Sequence, residues 1–373
     1  MSKELRVVIS GGGTGGHIFP AISIANAIRA ICPDANILFV GALGRMEMQR
    51  VPAAGYDIQG LPIRGFLRPL WKPGNFGVAL DYLRSKWIAK DLLKSFKPQV
   101  AVGVGGYASS AALGAANSLG IPTLIQEQNS YAGLANKTLG AKAAKICVAY
   151  EGMERFFPAN KIMLTGNPVR QQLLDNTVTR ENAVRSFGLD PQKKTILLVG
   201  GSLGARTINE SVLNHLDKLR VNNHVQFIWQ TGSYYNAAIV KKLDEVVCPD
   251  NLKVMDFISD IATAYKAADL IISRAGAGSI SEFCLLGKPV VLVPSPNVAE
   301  DHQTKNALAL VNRQAALYVK DAEAKDTLLP LAIKTVSDDA KLKNLSENIL
   351  KMAVPNSAEI IAKEVIKLAN NGD

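Results

Sequence analysis

His17 follows directly after a glycine-rich segment, Gly11–Gly16, that leads from an apolar run into a helix-like stretch. An imidazole with its ordinary pKa of about 6.5 can take up a proton near neutral pH. The backbone N–H groups of a glycine turn at a helix start favour anionic groups such as phosphates. We therefore predict that His17 is a general base beside an anion-binding turn. The alternative is a histidine that only caps the helix.

The same segment, Gly11-x-Gly13-x-x-Gly16, also satisfies the dinucleotide-binding fingerprint. That interpretation requires an acidic residue at the end of the second strand, where it would bind a ribose. Here the second strand runs into Gly41 and Ala42, without a carboxylate. The P-loop pattern GxxxxGK[ST] does not occur in the sequence. A dehydrogenase and a P-loop nucleotidase are therefore both disfavoured.

A second polar cluster, Ser273–Glu282 (SRAGAGSISE), follows an apolar run and opens a helix, which makes another anion-binding helix start. Glu282 lies about one turn into that helix, where a carboxylate can accept two hydrogen bonds from vicinal hydroxyls such as those of a ribose. The alternative is a capping-box glutamate. Gln303 and Asn306 share one helix face three residues apart, which suits sugar hydroxyls. The alternative is that Gln303 and Asn306 are polar only because they lie near the start of a helix.

The elements that must position these residues alternate regularly along the chain. Short apolar strands separated by helical stretches, such as 18–31 and 108–118, predict βαβ units and parallel sheets. Strands are predicted at 5–10, 37–40, 100–103, 123–127 and 145–148, and again at 195–199, 225–230, 252–256, 270–273, 290–293 and 316–319.

Two strand–glycine turn–helix openings lie about half a chain apart, at Gly11–Gly16 and Gly200–Ala205. Between the halves, Gly166–Lys194 is polar and lacks a predicted strand, as is typical of a connection between domains. We predict an α/β protein of two Rossmann-like domains, residues 1–166 and 167–354, whose parallel sheets face each other across a cleft. Ligands bind at the carboxyl ends of the strands in such sheets, so the cleft is the expected site.

The composition excludes several classes of protein. The chain has 373 residues, of which 48% are hydrophobic and 20% charged, so disordered and fibrous proteins are excluded. The four cysteines are scattered and the four histidines isolated, which indicates neither a disulfide framework nor a metal site. No apolar run reaches the ~18 residues of a membrane span. The short apolar start is not a signal peptide, so we expect a cytoplasmic protein.

The net charge of +10, from 42 basic against 32 acidic residues, indicates an anionic partner. Residues 62–97 carry eight basic and two acidic side chains, interleaved with large apolar residues that include Leu70, Trp71 and Phe76. Basic and aromatic side chains together suit the surface of an anionic membrane. A solvated lysine face beside a packed loop is the alternative. No nucleic-acid-binding motif accompanies the patch, so nucleic acid is not expected as a partner.

Seven segments occur in the order of one enzyme family: GGGTGGHIFPA, GVGGYAS, QEQNSYAGLANK, GNPVR, GGSLGAR, SRAGAGSISE and DHQTKNA. Together they resemble the bacterial undecaprenyldiphospho-muramoylpentapeptide β-N-acetylglucosaminyltransferases, which make lipid II for peptidoglycan. The resemblance implies a GT-B fold in which a C-terminal helix, about 355–373, crosses back to the first domain. It also implies transfer of GlcNAc from UDP-GlcNAc to the C4 hydroxyl of the muramoyl sugar of lipid I. The anomeric centre is inverted, without a metal or other cofactor.

The resemblance assigns roles residue by residue. The backbone of Ile258 binds the uracil of the donor, and Glu282 binds its ribose. The remaining donor contacts fall on Thr14, Gly15, Gly16, Asn129, Arg170, Ser202, Ala277, Gly278, Ser279, Ile280, Ser281, Gln303 and Asn306. His17, Tyr107 and Glu127 face the acceptor, and His17 or Glu127 is the base. Many family members carry glutamine where this chain has Leu203 and His302, so contacts of those two side chains do not transfer.

The resemblance also implies a peripheral protein on the cytoplasmic face of the bacterial inner membrane, because the acceptor is linked to a lipid. Two other functions share parts of this pattern. A UDP-GlcNAc 2-epimerase has the same fold and the same donor but needs no surface that contacts lipid. A non-catalytic subunit that binds a nucleotide sugar at the membrane is the second alternative.

Overall fold

The computed structural model describes residues 4–65, 75–169 and 173–371. These residues form two compact units, one within Met1–Arg170 and Val354–Asp373 and the other within Gln171–Ala353. Each unit contains a parallel β-sheet with helices in the connections between strands. The prediction of an α/β protein with two Rossmann-like domains is confirmed.

The sheet of the first unit has seven strands among the described residues, and every pairing is parallel. The strands are β1 (Arg6–Ser10), β2 (Asn36–Ala42), β3 (Asp57–Leu61), β4 (Val100–Gly103), β5 (Thr123–Glu127), β6 (Lys145–Val148) and β7 (Ile162–Leu164). Their order is β3-β2-β1-β4-β5-β6-β7. The order reverses direction beside β1, so the residues that follow β1 and β4 lie next to each other at one edge of the sheet.

Strand β1 shows why the sequence forms a buried sheet. Val7 and Ile9 pack into the apolar core on one face, while Val8 packs into the core on the other face. All three side chains are fully buried. A parallel sheet covered by helices on both sides requires apolar residues at successive positions, which is why its strands are continuous apolar runs.

The first unit also contains five α-helices before residue 170 in the described ranges. They are α1 (Gly15–Ile31), α2 (Glu47–Ala53), α3 (Asn75–Phe96), α4 (Tyr107–Ser118) and α5 (Leu134–Gly140). Helix α1 begins three residues earlier than the apolar pattern predicts, so Gly15, Gly16 and His17 form its first turn.

The second unit has a six-stranded parallel sheet over the residues that are described. Its strands are β8 (Lys194–Val199), β9 (Val225–Gln230), β10 (Leu252–Met255), β11 (Leu270–Ser273), β12 (Val290–Leu292) and β13 (Leu317–Tyr318), in the order β10-β9-β8-β11-β12-β13. The residues after β8 and β11 are therefore neighbours, as are those after β1 and β4 in the first unit.

The helices of the second unit cover this sheet. They are α6 (Arg180–Ser186), α7 (Arg206–Leu213), α8 (Leu216–Val221), α9 (Asn236–Asp244), α10 (Ile261–Ala267), α11 (Ala277–Leu286), α12 (His302–Val311), α13 (Ala324–Val336) and α14 (Asp339–Leu350). The last helix, α15 (Ser357–Asn370), belongs to the first unit, where it packs against α1. Ile361 and Val365 of α15 are fully buried in the same core as Val7 and Ile9. None of the helices in the described ranges is long and apolar enough to cross a membrane.

Candidate active site

His17 lies in the first turn of α1, where its ring forms a hydrogen bond with the glycine turn. Its Nδ1 lies 3.0 Å from the carbonyl oxygen of Gly12. A carbonyl oxygen can only accept a hydrogen bond, so Nδ1 carries the proton and Nε2 of the neutral ring carries a lone pair. Nε2 lies beside Gly105, where a Cβ atom would be only 2.9 Å away. Glycine at this position leaves space for the ring, which is half-buried.

Glu127, at the end of β5, is 1% exposed and accepts four hydrogen bonds. Its Oε1 accepts from the backbone N–H of Asn129 at 3.0 Å and from the Asn129 side-chain amide at 3.3 Å. Its Oε2 accepts from the Gly133 N–H at 3.0 Å and from the Asn136 amide at 2.9 Å. Four donors fill the acceptor directions of a carboxylate. The arrangement holds the loop that contains Asn129 in a defined conformation.

The other residues predicted in the first unit are more accessible. Thr14 and Gly16 are exposed, Gly15 is half-buried, and no acidic side chain lies in the first turn of α1. Tyr107 begins α4 with half of its surface exposed, and its ring packs over Gly65, where a Cβ atom would be 2.5 Å away.

In the second unit, a cavity of about 640 Å³ opens beside the second glycine turn. Its lining includes Gly200, Gly201 and Gly204 of that turn, together with two predicted residues, Ser279 and Gln303. The cavity therefore brings together three segments that are distant in sequence. Ser202 lies in the same turn, is exposed, and its carbonyl oxygen accepts the Ser233 N–H at 3.1 Å.

Helix α11 presents its N-terminal turn, preceded by Gly276, to this cavity. The Ile280 side chain is fully buried, and its backbone N–H donates to the Gly276 carbonyl at 3.0 Å. The Ser281 hydroxyl donates to the Ala277 carbonyl at 3.1 Å. Glu282 is 8% exposed, and its Oε2 accepts the hydroxyl of Tyr265 at 3.0 Å. Ala277, Gly278 and Ser279 contribute N–H groups of the helix start, where the helix dipole favours an anion.

Three predicted donor contacts have environments that the sequence could not indicate. The Oε1 atom of Gln303 accepts the Ser295 N–H at 2.8 Å while its side chain lines the cavity. Asn306 is fully buried and donates to the Ala275 carbonyl at 3.4 Å. Gln303 and Asn306 therefore differ in access although they share a helix. The backbone N–H of Ile258 donates to Oε1 of Gln230 at 3.0 Å.

Two basic side chains that sequence reasoning missed line the cavity. Arg274 forms an ion pair with the Asp321 carboxylate and donates to the Thr207 hydroxyl at 3.1 Å. It also bonds to two backbone carbonyls, so it holds the cavity wall together. Arg206, the first residue of α7, keeps 72% of its side chain exposed. Its position directly after the second glycine turn is the sequence feature that could have identified Arg206.

Two family models match this sequence. The N-terminal domain of glycosyltransferase family 28 matches residues 7–148, and the C-terminal domain of the same family matches residues 195–361. The two matches cover more than half of the chain; the first lies within the first unit, and the second spans most of the second unit and the start of α15. The chain belongs to glycosyltransferase family 28.

A curated relative of this family 28 chain occurs in Bacteroides fragilis. It is 66% identical over 366 residues, which are 98% of this chain and 96% of the relative. Its name is UDP-N-acetylglucosamine–N-acetylmuramyl-(pentapeptide) pyrophosphoryl-undecaprenol N-acetylglucosamine transferase. The solved structure of MurG from Acinetobacter baumannii matches with a TM-score of 0.79 and 29% identity, over 97% of this chain and 99% of that chain. The family expected from the seven ordered motifs is confirmed.

A solved UDP-N-acetylglucosamine 2-epimerase matches with a TM-score of 0.67, over 100% of this chain and 97% of that chain. Its sequence identity to this family 28 chain is 16%, so the likeness shows a shared fold alone. The much higher identity to the named transferase favours the transferase interpretation.

Three residues that sequence analysis singled out in this family 28 chain, Leu70, Trp71 and Arg170, lie outside the described residues. Within the described ranges, no group of three or more His, Cys, Asp or Glu side chains is arranged to hold a metal ion.

Glu47 bonds to the first glycine turn, and sequence reasoning missed this contact. It begins α2, five residues after β2, and its side chain is fully buried. Its Oε2 accepts the Gly13 N–H at 3.0 Å, and its Oε1 accepts the Ala42 N–H at 3.0 Å. The signal was an acidic residue shortly after the second strand, the region in which the dinucleotide fingerprint places its carboxylate.

Proposed function

We propose that this chain transfers GlcNAc from UDP-GlcNAc to the C4 hydroxyl of the muramoyl sugar of lipid I, which yields lipid II and UDP. The observation that carries the proposal is the 66% identity, over 98% of this chain, to a relative named for that transfer. The seven-motif order and the family 28 domains support the same reaction class.

We propose His17 as the general base. The acceptor hydroxyl oxygen attacks the anomeric carbon, the bond from that carbon to the UDP oxygen breaks, and the hydroxyl proton passes to Nε2 of His17. Attack opposite the leaving group inverts the anomeric centre. The tautomer set by the Gly12 carbonyl leaves a lone pair on Nε2, which supports this role. Glu127, with four donors already bonded to its carboxylate, is better suited to hold Asn129 and its loop.

We propose the cavity of the second unit as the site of the donor. Charge that develops on the departing UDP is met by the N–H groups at the start of α11, so the reaction proceeds without a metal ion. Arg206 and Gln303 line the same cavity, and Ser202 lies in the glycine turn beside it. In this proposal Gln303 binds the GlcNAc hydroxyls. The side chain of Glu282 is placed for the ribose.

A transfer assay tests the function as a whole. The purified chain is incubated with UDP-[14C]GlcNAc and a short-chain lipid I analogue, and the products are separated by chromatography. Radiolabel in the lipid product is expected, at a 1:1 ratio to released UDP. Formation of UDP-ManNAc without labelled lipid would establish the epimerase instead. Binding of UDP-GlcNAc without either product would establish a non-catalytic subunit.

We propose that helix α3 places the protein on an anionic membrane surface, as a peripheral protein on the cytoplasmic face of the inner membrane. Phe76, Leu80, Leu83 and Trp87 recur at intervals of four, three and four residues, so they form one stripe along the helix. Each of the four has between 52% and 76% of its surface exposed. The opposite face, which includes Val78 and Leu93, is buried towards α4.

Basic side chains accompany this apolar stripe. Arg84, Lys86, Lys90 and Lys94 lie on the same helix, against Asp81 and Asp91, and Asp81 is paired with Arg64 at 2.8 Å. Each basic group near an anionic leaflet adds about 1 kcal/mol of binding free energy. An apolar stripe with basic neighbours is the pattern of a helix that lies in the membrane interface.

The double variant Leu83→Ser/Trp87→Ser is expected to lower binding to vesicles about tenfold or more, because it removes the centre of the exposed stripe. Binding is measured by co-sedimentation with vesicles that contain or lack phosphatidylglycerol, at low and high salt. A control, Val221→Ser/Val247→Ser, removes two apolar side chains of the second unit that are more exposed than Leu83 and Trp87, and it should bind like the unaltered chain. Equal binding to neutral vesicles, or an unaltered affinity of the α3 variant, would exclude this surface.

A further inference from the structure

We propose that Glu47 is a positioning residue for the transfer: its buried carboxylate fixes one peptide group that in turn sets the tautomer and orientation of His17. The inference rests on the proposed role of His17 as the base. It goes beyond that role because Glu47 lies outside all seven motifs and touches neither substrate in the proposed mechanism.

The peptide group between Gly12 and Gly13 connects the two side chains. Its N–H, from Gly13, donates to Oε2 of Glu47 at 3.0 Å. Its carbonyl, from Gly12, accepts the proton of His17 Nδ1 at 3.0 Å. In a trans peptide these two groups point in opposite directions. Glu47 and His17 are therefore joined through a single rigid plane.

This peptide plane would rotate easily without an anchor. Neither flanking residue has a Cβ atom, and Gly13 adopts a φ of +86°, which few other residues accept. A rotation of the plane by half a turn would present an N–H to the imidazole in place of a carbonyl. The ring would then lose the acceptor that keeps the proton on Nδ1. A bonded carboxylate prevents the rotation, because it accepts from the N–H and would repel the carbonyl.

Several glycines in and near the turn leave the space that Glu47 and the Gly12 carbonyl occupy. A Cβ atom at Gly12 would lie 2.0 Å from Oε1 of Glu47, and one at Gly41 would lie 2.6 Å from its Cγ. A Cβ at Gly106 would lie 2.6 Å from the Gly12 carbonyl oxygen. These close approaches require glycine. At Gly12 the space that a side chain would take is occupied by the Glu47 carboxylate, and at Gly41 by the methylene groups of Glu47 and by the Ile58 side chain.

The charge of Glu47 also has an effect on the reaction. A buried carboxylate that accepts from a peptide N–H polarises that peptide and makes its carbonyl a stronger acceptor. When His17 takes the proton, Nδ1–H becomes part of a cation and its bond to the Gly12 carbonyl strengthens. The two hydrogen bonds, from Gly13 to Glu47 and from His17 to Gly12, therefore stabilise the imidazolium. The carboxylate of a catalytic triad does the same by direct contact.

The test uses Glu47→Gln, which keeps the size of the side chain but can accept only one of the two N–H groups. We expect kcat to fall about 10- to 100-fold from misorientation of the base. The KM for UDP-GlcNAc is expected to change less than kcat, because the proposed donor cavity is lined by residues of the second unit. In a His17→Ala background, Glu47→Gln should cause no further loss of kcat. A full additional loss there would show that Glu47 acts independently of His17 and would overturn the proposal.

A direct readout is 15N NMR of the histidine side chains, assigned with the His17→Ala variant. The unaltered chain should show His17 protonated at Nδ1, and Glu47→Gln should shift it towards a mixture of tautomers. Glu364→Gln, which alters another buried glutamate of the first unit, should leave the His17 spectrum unchanged. An Nε2-protonated His17 in the unaltered chain would overturn the inference even if the variant does not fold. Normal turnover of His17→Ala would instead overturn the proposed base.

Discussion

His17→Ala is expected to lower kcat by about 10²–10⁴ while UDP binding is retained. The reason is that a positioned base contributes about this factor to proton transfer, and the Nε2 lone pair of His17 is the feature of the first unit best prepared for that role. UDP binding should persist because the cavity of the second unit does not include His17. Steady-state transfer kinetics and calorimetric titration with UDP provide the two measurements.

His224→Ala serves as the control for this prediction, because it removes an exposed histidine from the second unit. It should have normal kcat. If His17→Ala turned over at the normal rate, His17 would be only a residue of the helix start and Glu127 would become the candidate base. Glu127→Gln would then be expected to abolish turnover. With His17 as the base, we expect Glu127→Gln chiefly to destabilise the loop around Asn129, seen as a lower thermal unfolding midpoint.

Glu282→Ala is expected to raise the KM for UDP-GlcNAc by about 10- to 100-fold with a smaller change in kcat, because a lost hydrogen-bonded contact to the ribose is expressed in binding. Glu282 is buried and oriented by the Tyr265 hydroxyl, so its carboxylate is held ready before the donor binds. Tyr265→Phe removes only that orienting bond and should raise the KM by less.

A modified donor makes this prediction specific to the ribose. For the unaltered chain, the KM for UDP-GlcNAc that lacks the ribose 2′ hydroxyl should be raised. For Glu282→Ala, the normal and the 2′-deoxy donors should have equal KM values. If the variant still discriminated between the two donors, or had a normal KM, Glu282 would not contact the ribose.

The strands at the centre of both sheets could be predicted because burial on two faces demands apolar residues at successive positions, and β1, β4, β8 and β11 are such runs. The two edge strands of the first sheet are harder to predict. Strand β3 (DIQGL) alternates exposed and half-buried residues, and β7 has only three residues, so neither was predicted. The low helix propensity of glycine favours a start of α1 at residue 18, whereas the helix in the structure already includes Gly15 and Gly16.

The family and the two strand–turn–helix openings could be predicted from the sequence, because glycines and polar residues in seven ordered segments are local features of the chain. Tertiary structure alone decided which polar groups are available for chemistry. Asn306 is predicted beside Gln303 but lies fully buried, and Glu127 accepts four hydrogen bonds. Glu47 bonds to the glycine turn from the start of α2, the helix that follows the next strand. Burial and hydrogen-bond saturation depend on neighbours that are distant in sequence, so no local pattern can report them.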